Sequence, residues 1–180
     1  MHLKNKIKSL AEEYHREVVD IRRHLHAHPE LSFQEYETSA YIVEVLQRMG
    51  IPYQDKVAET GVVALIEGKE KGKTVALRAD MDALPITEEN EVAYKSTKQG
   101  IMHACGHDVH TASLLGAAKI LHENKDDIKG TIKLIFQPAE EKAPGGASKM
   151  IEEGVLKNPA PSCVVGQHVM PFIPVGKVGF

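Results

Sequence analysis

Apolar side chains recur at Ile7, Leu10, Tyr14, Val18, Ile21 and Leu25, the spacing of an amphipathic helix. Pro29 disfavours helical backbone at the residue before it, so this helix is expected to stop near His28. Ser32-Phe33-Gln34-Glu35 reads as a capping box that opens a second helix. Ala40, Val43 and Leu46, with Ile42 and Met49, give that helix an apolar face, and Gly50 ends it. The period then changes. Val62–Ile66 and Thr74–Leu77 are short runs rich in β-branched residues, expected to pair as a hairpin around Gly68–Gly72. Residues 110–121 return to helical spacing. Residues 131–136 read as a strand stopped by Pro138, 147–153 as a short helix closed by Gly154, and 162–165 as a further strand. Strands separated by helices predict an α/β fold of three layers, αβα, around a mixed, mostly parallel sheet.

Composition narrows the class. With 42% of its 180 residues hydrophobic, the chain can bury a core without disulfide support. Lys and Arg number 22 against 25 Asp and Glu, which argues against a nucleic-acid partner. No apolar run approaches membrane-spanning length, and the start, Met1-His2-Leu3-Lys4, lacks the apolar stretch of a secretory signal. Cys105 and Cys163 are too few for a secreted disulfide scaffold. A cytoplasmic protein is expected. The 10 histidines are clustered, at 24, 26 and 28 and again at 103, 107 and 110, as metal or proton-handling sites require.

The chemistry-bearing residues follow the strands. Asp80 and Asp82 come after the second predicted strand, Glu140 and Glu141 after the third, His168 after the last, and Cys105 and His107 precede the third helix. Ligands of open α/β sheets bind outside the carboxyl ends of the strands, so parallel pairing would gather these groups at one edge. A thiolate, imidazoles and carboxylates suit Zn²⁺, and the carboxylates also suit Mn²⁺. A structural zinc needs four ligands, so surplus carboxylates point to catalysis, one of them taking a proton from an activated water. In an extended backbone the adjacent Glu140 and Glu141 would diverge, one toward metal and the other toward substrate.

Five stretches carry a resemblance: His28-Pro29-Glu30-Leu31-Ser32, Arg78-Ala79-Asp80-Met81-Asp82-Ala83-Leu84-Pro85, Met102-His103-Ala104-Cys105-Gly106-His107-Asp108, Gln137-Pro138-Ala139-Glu140-Glu141 and Gly166-Gln167-His168-Val169. In order and spacing they resemble the amidohydrolase branch of the aminoacylase and carboxypeptidase-type dinuclear metallopeptidases. That branch includes hippurate hydrolases, indole-acetyl-amino-acid hydrolases and N-acetyldiaminopimelate deacetylases. The resemblance implies a zinc-exopeptidase-like catalytic domain hydrolysing the amide of N-acyl amino acids. It implies two divalent metal ions, Zn or Mn with Co or Ni as alternatives. Cys105, His107, Glu141 and His168 would be ligands, Glu140 the general base and acid, and Asp82 the supporting carboxylate beside Asp80.

Such enzymes continue beyond the equivalent of Phe180 into a small lid domain that forms a dimer contact, then the last catalytic strands and a final ligand histidine. Residues 1–180 are therefore expected to be the N-terminal part of the catalytic domain, with impaired activity. Two alternatives stand beside this: a non-catalytic fragment that binds metal or a partner, and a metallo-exopeptidase. Elsewhere blander roles are expected. His24, His26 and His28 read as a polar helix end and Cys163 as inert core. His103 and His110 read as ordinary polar positions, Asp108 as a helix cap, Glu88-Glu89 as a solvated loop, and Pro144-Gly145-Gly146 as a lead into a helix.

Overall fold

The computed structural model describes residues 3–179. Met1, His2 and Phe180, which bear on the expectations about a leader and about where the chain stops, lie outside the described residues. The elements in order are α1 (Leu3–Ala27), α2 (Tyr36–Met49), β1 (Tyr53–Val57), β2 (Gly61–Glu67), β3 (Glu70–Asp80), α3 (His107–Glu123), a single 3-10 turn (Lys125–Asp127), β4 (Lys129–Gln137), α4 (Gly146–Glu152) and β5 (Cys163–Gly166). Both long N-terminal helices end where expected, α1 before Pro29 and α2 at Gly50, whose φ of 69° is left-handed.

One five-stranded sheet runs in the order β1-β2-β4-β3-β5. The β3–β4 and β3–β5 pairs are parallel, whereas β1–β2 and β2–β4 are antiparallel. The sheet is therefore mixed as expected, though evenly divided rather than mostly parallel, with parallel pairing confined to the half that carries the chemistry. The expected hairpin is absent. β2 and β3 are joined by only Gly68 and Lys69, yet β4 lies between them and pairs with both. Glycine makes the insertion possible. A Cβ on Gly130 would meet the Lys73 carbonyl at 2.1 Å, and one on Gly68 the Ile128 carbonyl at 2.3 Å. A local turn signal cannot report a strand that arrives sixty residues later.

Strand alternation sorts the core into two layers. Leu134 and Phe136 of β4 join Val62, Ala64, Ile66 and Ala79 against Ile21 and Leu25 of α1, Ile42, Val45 and Leu46 of α2, and Ala112, Leu115 and Ala118 of α3. Ile135 faces the other way, joining Ala76, Val57, Met150 and Val155 beneath α4. This is the αβα arrangement. Two smaller expectations change. Ala40 is exposed, and the buried face of α2 runs instead through Thr38, Ile42, Val45 and Leu46. Cys163 is not core but exposed, because β5 is an edge strand open along its whole length. Among the described residues no helix is long and apolar enough to cross a membrane.

Candidate metal centre

Because β3, β4 and β5 run parallel, their carboxyl ends share one edge. There Asp80 and Asp82 leave β3, Glu140 and Glu141 follow β4, and His168 follows β5. Cys105 and His107 arrive from the loop that opens α3. Gly106 between them has φ 89°, and a Cβ on it would meet Val169 Cγ2 at 2.4 Å. Only glycine permits that turn and lets the His168 segment approach so closely.

His107 lies at the centre and is 1% exposed. Its Nδ1 lies 3.2 Å from Asp82 Oδ1, which directs Nε2 into the site. That Nε2 is buried without a hydrogen-bond partner among the described residues. Around it lie Asp80 Oδ2 at 3.7 Å, Glu141 Oε1 at 3.7 Å and Glu140 Oε2 at 3.9 Å. Cys105 Sγ and His168 Nε2 are 3.5 Å apart. Among the described residues, three sets have donor atoms that all lie within 4.8 Å of one another inside each set: Cys105 with His107 and His168; Asp80 with His107 and His110; His107 with Glu140 and Glu141. All three share His107.

Neighbouring groups fix how these donors present themselves. His168 Nδ1 lies 2.7 Å from the Val169 carbonyl, which can only accept, so Nδ1 carries hydrogen and Nε2 is left to bind. His110 Nε2 accepts from the Val169 N–H at 2.9 Å, so its Nδ1–H donates to Asp80 Oδ1 at 2.6 Å. Asp80 also receives Arg78 Nη1 at 2.6 Å. Asp82 Oδ2 accepts from Ser32 Oγ at 2.6 Å and from the Glu141 N–H at 3.0 Å.

The electrostatics favour a cation. Burial alone would raise Asp82, but the hydrogen bonds from His107, Ser32 and the Glu140 and Glu141 backbone overcome it and hold the carboxyl at about 2. Burial lowers His107, yet its bond to Asp82 and the charges of Asp80, Asp82 and Glu141 carry it above the usual range. Burial, then the Glu141 carboxylate, pushes the Cys105 thiol up to about 11. A partnerless buried nitrogen ringed by a thiol, a second imidazole and three carboxylates fits a divalent metal, whose charge relieves this crowding.

Several expectations are corrected here. Glu140 and Glu141 do not diverge. Ala139 before them has a left-handed φ of 48°, which bends the chain so that both carboxylates reach toward His107. Ser32 and Glu35 form no capping box: the Thr38 N–H in the first turn of α2 is taken by Glu30 Oε2 at 2.8 Å, Ser32 holds Asp82, and Glu35 bonds to Thr60 and Ala139. His110 supports both Asp80 and the His168 segment, and its spacing of three from His107 on one helix was the available signal. Asp108 does not cap α3 but takes His26 at 2.6 Å and Arg22 at 2.9 Å. Glu88 is buried, bonded to His26 and to the Ser96 N–H, while Glu89 beside it is exposed. His26 is thus an internal link, while His24 stacks on Tyr41 and His28 bonds the His24 carbonyl. His103 is buried with both ring nitrogens unpaired among the described residues, and burial lowers it to about 4.

The profile of peptidase family M20/M25/M40 matches residues 76–180. An N-acyl-L-amino acid amidohydrolase of Geobacillus stearothermophilus is 48% identical over 176 residues, covering 98% of this chain and 47% of the relative. Thermostable carboxypeptidase 2 of Saccharolobus solfataricus is 49% identical over 178 residues, covering 98% of this chain and 45% of the relative. The crystal structure of the Bacillus subtilis YXEP protein, a dinuclear metal-binding peptidase of the M20 family, superposes with a TM-score of 0.86 at 47% identity, covering 92% of this chain and 46% of that one. The chain thus spans about half the length of the proteins it matches.

Proposed function

Since the chain belongs to peptidase family M20/M25/M40, we propose that its site hydrolyses the amide bond of N-acyl amino acids with two divalent metal ions. The observation that carries the reading is the convergence of Cys105, His168 and Glu141 on the partnerless Nε2 of His107. In this reading Cys105, His107, Glu141 and His168 hold the metals, and the donor set suits Zn²⁺ or Mn²⁺, with Co²⁺ or Ni²⁺ as substitutes. Bound there, the ions would acidify a water and polarise the scissile carbonyl.

The protein's own groups do the rest. Asp82 accepts the His107 Nδ1 hydrogen and fixes that ring. Glu140 is the more open of the two adjacent carboxylates, with 44% of its side chain exposed against 23% for Glu141. It takes a proton from the attacking water and returns it to the leaving amine. The reading makes residues 1–180 the N-terminal portion of such a catalytic domain. An amidohydrolase and a carboxypeptidase are about equally similar to the chain, so a second reading hydrolyses a C-terminal peptide bond at the same site. A third is a fragment without turnover that binds metal or a partner, for which the exposed edge strand β5 offers a surface.

Metal content per chain and release of acid from N-acetyl amino acids and from N-blocked dipeptides separate the three. Glu140→Gln is expected to keep its metal and lose turnover by roughly a hundredfold or more. Normal rates in that variant would end the role given to Glu140.

A further inference from the structure

Glu35 sits at the start of α2, but its side chain serves another part of the molecule. It is 0% exposed. One carboxylate oxygen accepts from the Ala139 N–H at 2.8 Å, and the other from the Thr60 hydroxyl at 2.7 Å. Ala139 is also fully buried, in a left-handed conformation that is costly for a residue with a Cβ. Its carbonyl accepts from the Gly146 N–H at 2.9 Å. The chain then runs directly into Glu140 and Glu141, and the Glu141 N–H is held by Asp82. A strained turn is therefore clamped by two carboxylates from separate segments, Glu35 on one side and Asp82 on the other.

The groups that face the Glu35 oxygens, the Thr60 hydroxyl and the backbone N–H groups of Ala139, Phe33 and Glu35 itself, are all neutral. A buried carboxylate in that setting costs stability against an apolar side chain of similar size. What it supplies in return is the acceptor for the Ala139 N–H, which would otherwise be orphaned in the interior. We propose that Glu35 is a positioning residue, whose bond to the Ala139 N–H holds the left-handed turn that aims Glu140 and Glu141 at His107. The consequence for turnover rests on reading Glu140 as the proton carrier; the consequence for the turn does not.

Residue-resolved amide hydrogen exchange on the full chain without added metal tests the turn directly. Glu35→Met keeps the side-chain length and removes the acceptor. Exchange at Ala139, Glu140 and Glu141 is expected to accelerate roughly tenfold or more, with β4 and α2 amides unchanged. Glu35→Gln keeps an oxygen for Ala139 and turns its amide toward the Thr60 oxygen, so it should restore the protection. Unchanged exchange at the turn, or equal acceleration everywhere with no restoration by Gln, overturns the proposal. Should the Met variant not fold, Glu35→Ala, which also removes the acceptor, is read in its place, and no rise at the same three amides overturns the proposal. At saturating zinc, with an N-acetyl amino acid, Glu35→Met should lower kcat roughly tenfold with KM within about twofold. If Glu140→Gln abolishes turnover and Glu35→Met leaves kcat intact, positioning is refuted. If the turn loosens while Glu140→Gln keeps its turnover, positioning stands and the hydrolytic reading of Glu140 falls.

Discussion

His26 Nδ1 lies 2.6 Å from Asp108 Oδ2, tying the last turn of α1 to the residue beside His107. On its other nitrogen His26 meets Glu88 at 3.0 Å, so one buried imidazole bridges two buried carboxylates. The bond to Asp108 raises its pKa most; burial works against this, and the bond to Glu88 adds to the rise. A histidine raised on folding contributes stability that is complete below its unfolded value of about 6.5 and is lost as pH climbs through the raised folded value. Denaturant unfolding of wild type and His26→Gln should therefore differ most at acidic pH, by about 2–4 kcal/mol, and converge toward alkaline pH. A gap that is constant with pH would show that His26 is neutral in the folded protein.

Asp82 accepts from three directions: His107, Ser32 and the Glu141 backbone. Asn at this position has one acceptor oxygen, and its amide must face a donor. Asp82→Asn is expected to weaken metal binding by about tenfold to a hundredfold, the usual cost of losing a carboxylate behind a ligating histidine. Competition with a chromophoric chelator measures it. Wild-type affinity in the variant would remove Asp82 from the support of His107.

Gly106 is constrained twice, by φ 89° and by Val169 Cγ2 at 2.4 Å from a built Cβ. Gly106→Ala should destabilise by about 2 kcal/mol or more. Adding Val169→Ala removes the clash but leaves the backbone penalty, so the double variant should recover only part of the loss. Full recovery of the melting temperature would mean that the contact alone excludes a side chain.

The Cys105 thiol is pushed up to about 11 by burial and then by the Glu141 carboxylate. A thiolate ligand must shed its proton, so zinc uptake at neutral pH should release protons, and affinity should rise with pH. Titration calorimetry in two buffers of different ionisation enthalpy reads the release directly. Identical heats in both buffers would contradict thiolate ligation.

The layers could be anticipated from strand and helix periodicity, and Glu141 and His168 from their place just past strand ends, whereas Cys105 and His107, in the loop before a helix, were joined to them as ligands by the family resemblance. What stayed hidden was non-local. Nothing near Glu35 shows that its partner is Ala139, and nothing near His26 shows that Asp108 and Glu88 lie against it. Ser32 and Glu35 fit the capping pattern while serving the site instead. β1 went unread because three of its five residues, Gln54, Asp55 and Lys56, are polar and exposed, as a strand near the sheet margin allows.

The late entry of β4 between β2 and β3 bears on how the polypeptide is made. On the ribosome, β2 and β3 emerge some sixty residues before the strand that separates them, and until it comes they have a gap of one strand's width to keep open. Most of the sheet's ladder can form only after Gln137 has left the exit tunnel, and the edge where Asp80, Glu140 and Glu141 surround His107 only after Glu141 has followed.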